Sequence, residues 1–410
     1  MSRPRTAIGH VDSDCFYVSA ERVRHRSLIG KPVGVLGNQG CAVIAKSYEM
    51  KAAGVKTGEP IWEAVRKCPN GLYVKRDFHW YELLSRRMLA AVEGFSPKVE
   101  FYSIDEFFFL AVPWQEGTLQ QTAEAIRDRI WEACRLPVTV GIGRSRTLAK
   151  LFGDTAKPFG ARALLDPQAE EALLGGLAVT EISGIAGRRA ARLLPYGIRT
   201  CLDYRRADGR LIRQLLTKTG EVLHAELNGH AVQPVVVGRP AHQTLARGGS
   251  LGGASADPCV VYAWLVRNTE RLIEELEFHD VRAGKLAVEL AYAEGPAGVG
   301  QVSFDTATDR FDLLLDGGRE ALRRSWRGDG TPVTHMHVIA SALRRSRLVQ
   351  PGLFDPPAEP ARSVAGLKRA VNERVRRFAV RSGATLPIQA VYDDATNDYD
   401  ICDIRGKLCF

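Results

Sequence analysis

Two acidic stretches, each joined to an apolar run, hold the residues whose types and spacing could do chemistry. The first is Ile8-Gly9-His10-Val11-Asp12-Ser13-Asp14-Cys15-Phe16-Tyr17. It reads as a short strand ending in Asp12, a turn, and a helix that opens near Tyr17 or Val18 and carries Glu21. The second runs Val99-Glu100-Phe101-Tyr102-Ser103-Ile104-Asp105-Glu106-Phe107-Phe108-Phe109-Leu110. It reads as two short strands joined by a tight turn at Ser103-Ile104, the second apolar on both faces like a strand buried on both sides. In mid-strand Asp105 and Glu106 would point to opposite faces; just after a turn that alternation relaxes, and both can reach one site. Two adjacent acids leading into an apolar run are costly to bury without a counter-charge. A bound divalent cation would supply it, a solvated turn would remove the need, and the pair taken alone leaves both open. A second acidic strand end, far away in sequence, shifts the balance toward the cation.

At 410 residues the chain should hold more than one domain, and 45% hydrophobic with 25% charged residues is enough for packed cores. A formal net charge of +9 favours a polyanionic partner, nucleic acid before an acidic membrane surface, although a basic soluble protein would carry it as well. The eight cysteines form no Cys-x-x-Cys pair, which argues against zinc or a disulfide framework and for a reducing cytoplasm. Asp12 and Asp14 precede any apolar run, so no signal peptide is expected, and no run approaches a membrane span.

His10-Val11-Asp12-Ser13-Asp14-Cys15-Phe16-Tyr17, followed by Tyr102-Ser103-Ile104-Asp105-Glu106, resembles the signature pair of the Y-family translesion DNA polymerases, nearest to the UmuC-like and polymerase IV-like branches. Further similarities follow in order and bring the matched span to residues 8–354. The resemblance implies an α+β multidomain right hand. Its parts would be a ferredoxin-like palm (1–17 and 77–167), small fingers (18–76) and a helical thumb with a helix-hairpin-helix (168–236). A linker (237–245), an α+β little finger (246–349) and a clamp-binding peptide (350–354) would follow, leaving a tail (355–410) without an assigned role.

The local patterns agree with that order. Val33 to Leu36 and Cys41 to Ala45 read as strands around Gly37-Asn38-Gln39-Gly40, a hairpin signal. Ser47 to Lys56 reads as a short helix with Ser47 as cap and Gly54 as stop. Residues 77–94 read as a long helix whose core stripe is Leu84, Met88 and Val92. A helix from Thr118 to Cys134, the strand Val138 to Gly143 and a helix near Ser145 complete the palm pattern. In the little finger the strands are Lys285 to Ala293, Val299 to Phe304 and Val333 to Ala340, with Arg247 to Gly252 a candidate fourth. Its helices lie near Cys259 to Leu276 and Gly317 to Trp326, on one face of the sheet. Val371 to Ala379 is a candidate helix in the tail.

The resemblance also implies roles. Asp12, Asp105 and Glu106 would be the catalytic carboxylates, holding two Mg²⁺ ions, with Mn²⁺ as a substitute, and the backbone carbonyl of Ser13 would complete the nucleotide-side ion. Tyr48, Lys51 and Lys157 would neutralise the triphosphate; Lys51 stands where many members carry Arg, a point charge in place of a planar fork. Tyr17 would lie under the sugar and exclude a 2′-hydroxyl. Gly184, Gly187 and Arg188, in a helix-hairpin-helix whose second glycine is replaced by Ala186, would meet a DNA phosphate, as would Arg344 and Arg345. Gln350, Leu353 and Phe354 resemble the peptide that docks bacterial polymerases on the sliding clamp. Implied partners are primer-template DNA, deoxynucleoside triphosphates, the clamp and accessory damage-response subunits, in the cytoplasm at the nucleoid.

Each residue also has a plainer reading. Tyr48 and Lys51 fit a solvated amphipathic helix, Lys157-Pro158 a helix stop, and Tyr17 a core tyrosine. The arginines fit a solvated face, and Leu353-Phe354 a fold-back onto the fourth domain. Asp14 reads as a cap or buttress of its turn. For the whole chain the alternatives are a non-catalytic DNA-binding or recruitment subunit and a nucleotide cyclase. The first gives no reason to keep three mutually repelling carboxylates, and the second none for the thumb, little-finger and clamp-peptide segments.

Overall fold

The computed structural model describes residues 7–37, 42–237, 242–349, 364–375 and 378–393. Among them Gln350, Leu353 and Phe354 do not appear, so the candidate clamp peptide lies outside the described residues. The chain divides into two compact units that part near residue 240.

The first unit opens with β1 (Ala7–Ser13) and α1 (Phe16–Arg24), the helix starting one residue earlier than the sequence suggests. There follow β2 (Val33–Leu36), β3 (Val43–Lys46), α2 (Tyr48–Ala52), α3 (Ile61–Lys67) and β4 (Leu72–Lys75). Then come α4 (Phe78–Glu93), β5 (Val99–Phe101), β6 (Glu106–Ala111), α5 (Leu119–Cys134), β7 (Val138–Gly143), α6 (Arg146–Asp154) and β8 (Ala161–Ala163). Four helices end the unit: α7 (Pro167–Gly175), α8 (Gly187–Leu193), α9 (Cys201–Arg206) and α10 (Gly209–Leu227).

Five strands form one sheet in the order β5-β6-β1-β7-β8, with β1 antiparallel to both neighbours. Strict alternation sorts its residues onto two faces. His10, Phe108 and Gly141 lie side by side in the register, on the face that receives α6. Val11, Phe107, Phe109, Val140 and Ile142 line the other face, all essentially without solvent contact, beneath α4 and α5. The helix starts are those the caps announce: the side chains of Asp77, Thr118 and Ser145 accept from the backbone N–H of Trp80, Gln121 and Leu148. Leu84, Met88 and Val92 are fully buried, as their spacing requires.

The insert between β1 and α4 holds more than a hairpin. β2 pairs antiparallel with β3 and also parallel with β4, and the crossover to β4 carries α2 and α3. The parallel partner was invisible to a local pattern because its pairing spans some 40 residues (Val33 opposite Leu72). Met50, Val55, Ala64 and Cys68 close this small core.

Helices α7 to α10 do not have a core of their own: Leu148, Leu151 and Phe152 of α6 complete it. Glu170, fully buried, answers Arg144 at 2.5 Å and Arg205 at 3.2 Å. The Glu226 carboxylate accepts the Thr147 N–H at 3.1 Å, at the first turn of α6.

The second unit contains β9 (Thr244–Ser255), α11 (Pro258–Phe278), β10 (Val281–Tyr292), β11 (Gly298–Thr308), α12 (Phe311–Ser325), β12 (Val333–Ser341), β13 (Arg344–Arg345) and α13 (Val364–Arg374). Its sheet runs β11-β10-β12-β9, so the candidate fourth strand is real and begins at Thr244, inside the stretch read as linker. Helices α11 and α12 cover one face. α12 starts six residues before Gly317, because Gly317 and Gly318 are interior helix positions that press on Phe304 and Leu265. In the tail the helix is Val364–Arg374 rather than 371–379, and Phe378, just beyond it, has φ 60°. Phe378, Ile388 and Tyr392 enter the core of this unit at 3%, 6% and 3% exposure.

A Cβ on Gly141 would overlap the Ala149 carbonyl oxygen, a backbone atom that cannot swing away. Gly141→Ala should therefore cost about 2 kcal/mol. A lowered denaturant midpoint at unchanged slope is the expected result, and an unchanged midpoint would show that sheet and helix are not in such close contact.

Candidate active site

Pairing of β1 with β6 puts Asp12 directly opposite Glu106, and opposite residues of an antiparallel pair share a face. Asp105 joins them through the backbone: its carbonyl accepts the Ser13 N–H at 3.0 Å. The three acids thus lie at one end of the sheet, Asp12 and Glu106 on the α6 face. Ser13 closes β1 opposite Val138. The Asp105 carboxylate accepts the Ser103 hydroxyl, so the turn between β5 and β6 also orients this acid.

This end of the sheet is poor in water. Burial pushes the Asp12 carboxyl up to about 6, although the nearby lysines pull it down. Burial also raises Asp105, helped by the charge of Asp12. Two ammonium groups answer the acids. Lys157 Nζ donates to Asp12 Oδ2 at 2.6 Å and to Asp154 at 2.8 Å, and Lys150 pairs with Glu106. Burial works against both ammonium charges, but the acids outweigh it and hold both lysines above their ordinary value. Lys150 had escaped notice. The signal was there: Arg146, Lys150 and Asp154 stand four residues apart, along one face of α6, and Lys157 follows its end. Arg146 uses its place to bind Glu100, at 2.8 and 3.0 Å, and to lie over the Phe108 ring at 4.0 Å.

Among the described residues, no three His, Cys, Asp or Glu side chains already converge closely enough to hold an ion. The lysines and Ser103 take up the carboxylate oxygens instead. The donor set nonetheless fits a hard divalent cation: three carboxylates and a strand-end carbonyl, short of water, with counter-charges on long side chains that can swing away.

The other candidates sort clearly. Tyr17 is half-buried on α1, stacked on Tyr81 at 4.7 Å with Phe78 at its edge. Tyr48 is 39% exposed at the start of α2, with Lys51 exposed one turn on. Burial and the Asp14 charge raise the Tyr48 hydroxyl above the usual tyrosine range. Gly184, at φ 95°, Gly187 and Arg188 are exposed around the start of α8. Arg344 and Arg345 are exposed on β13, whereas Arg323 and Arg324 are tied to Glu320 on α12, on the sheet face away from the open side.

The sheet end thus gathers acids and two lysines in the unit that also holds the small α+β insert and the helical segment. Residues 11–154 match the impB/mucB/samB family, and residues 242–353 match the C-terminal domain of that family. DNA polymerase IV 1 of Bacillus subtilis is 28% identical over 391 residues, 92% of this chain and 93% of the relative. DNA polymerase IV 2 of Mesorhizobium japonicum is 30% identical over 310 residues, 75% of this chain and 74% of the relative. In fold the chain is similar to a solved Y-family DNA polymerase chimera of Dbh and Dpo4, with TM-score 0.68 at 23% identity, covering 82% of this chain and 99% of that one. The chain belongs to the Y family of DNA polymerases. Its activity is DNA-directed DNA synthesis across damage, acting on DNA and nucleotides, and enzymes of the family work with divalent metal ions. No helix among the described residues is long and apolar enough to cross a membrane.

A carboxyl that titrates near 6 competes for its proton with a cation. Since the folded value is raised, Asp12 is protonated below about 6 and free to ligate above it. The divalent-ion concentration giving half-maximal primer extension should climb as pH falls through about 6 and level off above it; a flat profile would remove Asp12 from the ligand set.

Proposed function

We propose that Asp12, Asp105 and Glu106, with the Ser13 carbonyl, hold two Mg²⁺ ions for template-directed addition of deoxynucleotides to a primer 3′ end. The observation that carries this is the register of β1 and β6, which sets Asp12 across from Glu106 with Asp105 bound back to Ser13. When bound, the metal ions would activate the primer hydroxyl and neutralise the leaving pyrophosphate. Mg²⁺ rather than a softer ion suits an all-oxygen set, and Mn²⁺ could take its place.

Lys157 already stands on a carboxylate of this set, and an ammonium so held can exchange that partner for phosphate oxygens. Tyr48 and Lys51 complete the phosphate grip from α2. Tyr17, backed by Tyr81 and Phe78, has a ring too well packed to retreat from a ribose 2′-hydroxyl, which supports a role in sugar choice. Gly184, Gly187 and Arg188 would touch the duplex backbone through the thumb, and Arg344 and Arg345 through the little finger; their exposure supports this. Gln350, Leu353 and Phe354 would dock on the sliding clamp, in a cytoplasmic, nucleoid-associated enzyme that accessory damage-response subunits assist.

Asp105→Ala and Glu106→Ala should each abolish nucleotide incorporation while leaving DNA affinity nearly unchanged, because affinity comes chiefly from Lys and Arg on phosphates. Normal extension by the double variant would refute the metal assignment. Leu353→Ala with Phe354→Ala should leave synthesis on a short primer-template unaltered and remove stimulation by the cognate clamp. If the clamp stimulates that variant as well as it does the wild type, the peptide has another role.

A further inference from the structure

Asp14 is the carboxylate that the chemistry above leaves unused, and it is only 3% exposed. Both of its oxygens lie within reach of the Thr139 hydroxyl, at 3.1 and 3.2 Å, and Oδ2 also accepts the Phe159 N–H at 2.7 Å. The Tyr48 hydroxyl stands near enough for each group to act on the other's ionisation. The Asp14 backbone is pinned in turn: its N–H donates to Pro137 at 2.9 Å, and its carbonyl accepts the Ser19 hydroxyl at 2.5 Å. The partner turn is equally constrained. Phe159 sits at φ 49°, rare for a phenylalanine, with its ring against Trp131 at 5.3 Å and Arg127 at 5.1 Å. Lys157 is two residues before it. One buried carboxylate therefore gathers β7, the turn that follows Lys157 and the first residue of α2.

We propose that Asp14 is a positioning residue for the triphosphate of the incoming nucleotide, holding Tyr48 and the Lys157 turn in fixed relation to each other and to the sheet while touching neither substrate nor metal. This rests on Tyr48 and Lys157 being triphosphate contacts. Tyr48 opens α2 and Lys157 lies in the turn after α6, and Asp14 holds that turn through the Phe159 N–H with the Tyr48 hydroxyl close by. A shorter side chain would leave the Phe159 N–H and the Thr139 hydroxyl without that acceptor and let both phosphate contacts drift.

The test is single-nucleotide incorporation on a primer-template duplex by the full chain, with Asp14→Ala, Asp14→Asn and Thr139→Val beside wild type and Asp105→Asn. In Asp14→Ala, KM for the deoxynucleotide should rise about tenfold or more, while kcat, DNA affinity and the half-saturating Mg²⁺ concentration move less than about threefold. Asp14→Asn, which keeps a carbonyl oxygen for Phe159, should recover part of the loss, and Thr139→Val should show a smaller rise of the same kind. If Asp14→Ala does not fold, the other two variants decide. A half-saturating Mg²⁺ concentration that rises in step with KM would make Asp14 a metal ligand and overturn the proposal. An unmoved KM, with or without a lower melting temperature, would make it a packing residue and overturn it too. Failure of the underlying assignment would show separately, as Asp105→Asn extending primers normally or Lys157→Ala leaving KM unchanged.

Discussion

Charge held out of water at the end of an apolar sheet is the constraint on which the first unit depends. The pairing of β1 with β6 that buries Val11, Phe107 and Phe109 also sets Asp12 across from Glu106 and draws Asp105 to Ser13. Neither acid position can be moved without sliding the core, because a slip of one residue would turn every side chain of the strand to the other face. The acids must then be answered electrically. Lys150 and Lys157 do so from α6 and the turn after it, in half-buried pairs.

Helix α6 can supply those lysines only because the sheet lets it come close. Gly141 and Gly143 leave room for its backbone at Ala149. The same helix gives Leu148, Leu151 and Phe152 to the core of α7 to α10, and the buried Glu170 binds Arg144 just before its start and Arg205 of α9. Sheet and helical segment thus share apolar contacts and an ion network through one helix. A disturbance of that core would be felt at the lysines that face Asp12 and Glu106.

The second unit has a covered face and an open one. Leu286, Val288 and Leu290 face α11 and α12, while Ala287, Glu289 and Ala291 lie in rows with Ile339, His337 and His335 and with Ala246, Gly248 and Ser250. The C-terminal residues Phe378, Ile388 and Tyr392 help fill the core on the covered side, and Lys368 pairs with Glu270 of α11. A segment with no legible motif thus turns out to be structural.

What the sequence determined by itself was whatever local physics could write: caps at Asp77, Thr118 and Ser145, the stripe of Leu84, Met88 and Val92, and the acids at the ends of two apolar strands. These depend on neighbours within a turn or a pleat, so spacing alone reveals them. The candidate acids were legible for the same reason, since each stands at an end of an apolar strand. Only the tertiary structure decided which partners those acids would meet. The pairing of β2 with β4, the reach of Lys150 to Glu106, the convergence of Thr139, Phe159 and Tyr48 on Asp14, and the burial of the tail all join residues far apart in the chain. No periodicity encodes such contacts, since they arise from how separate elements pack once the sheet register is set.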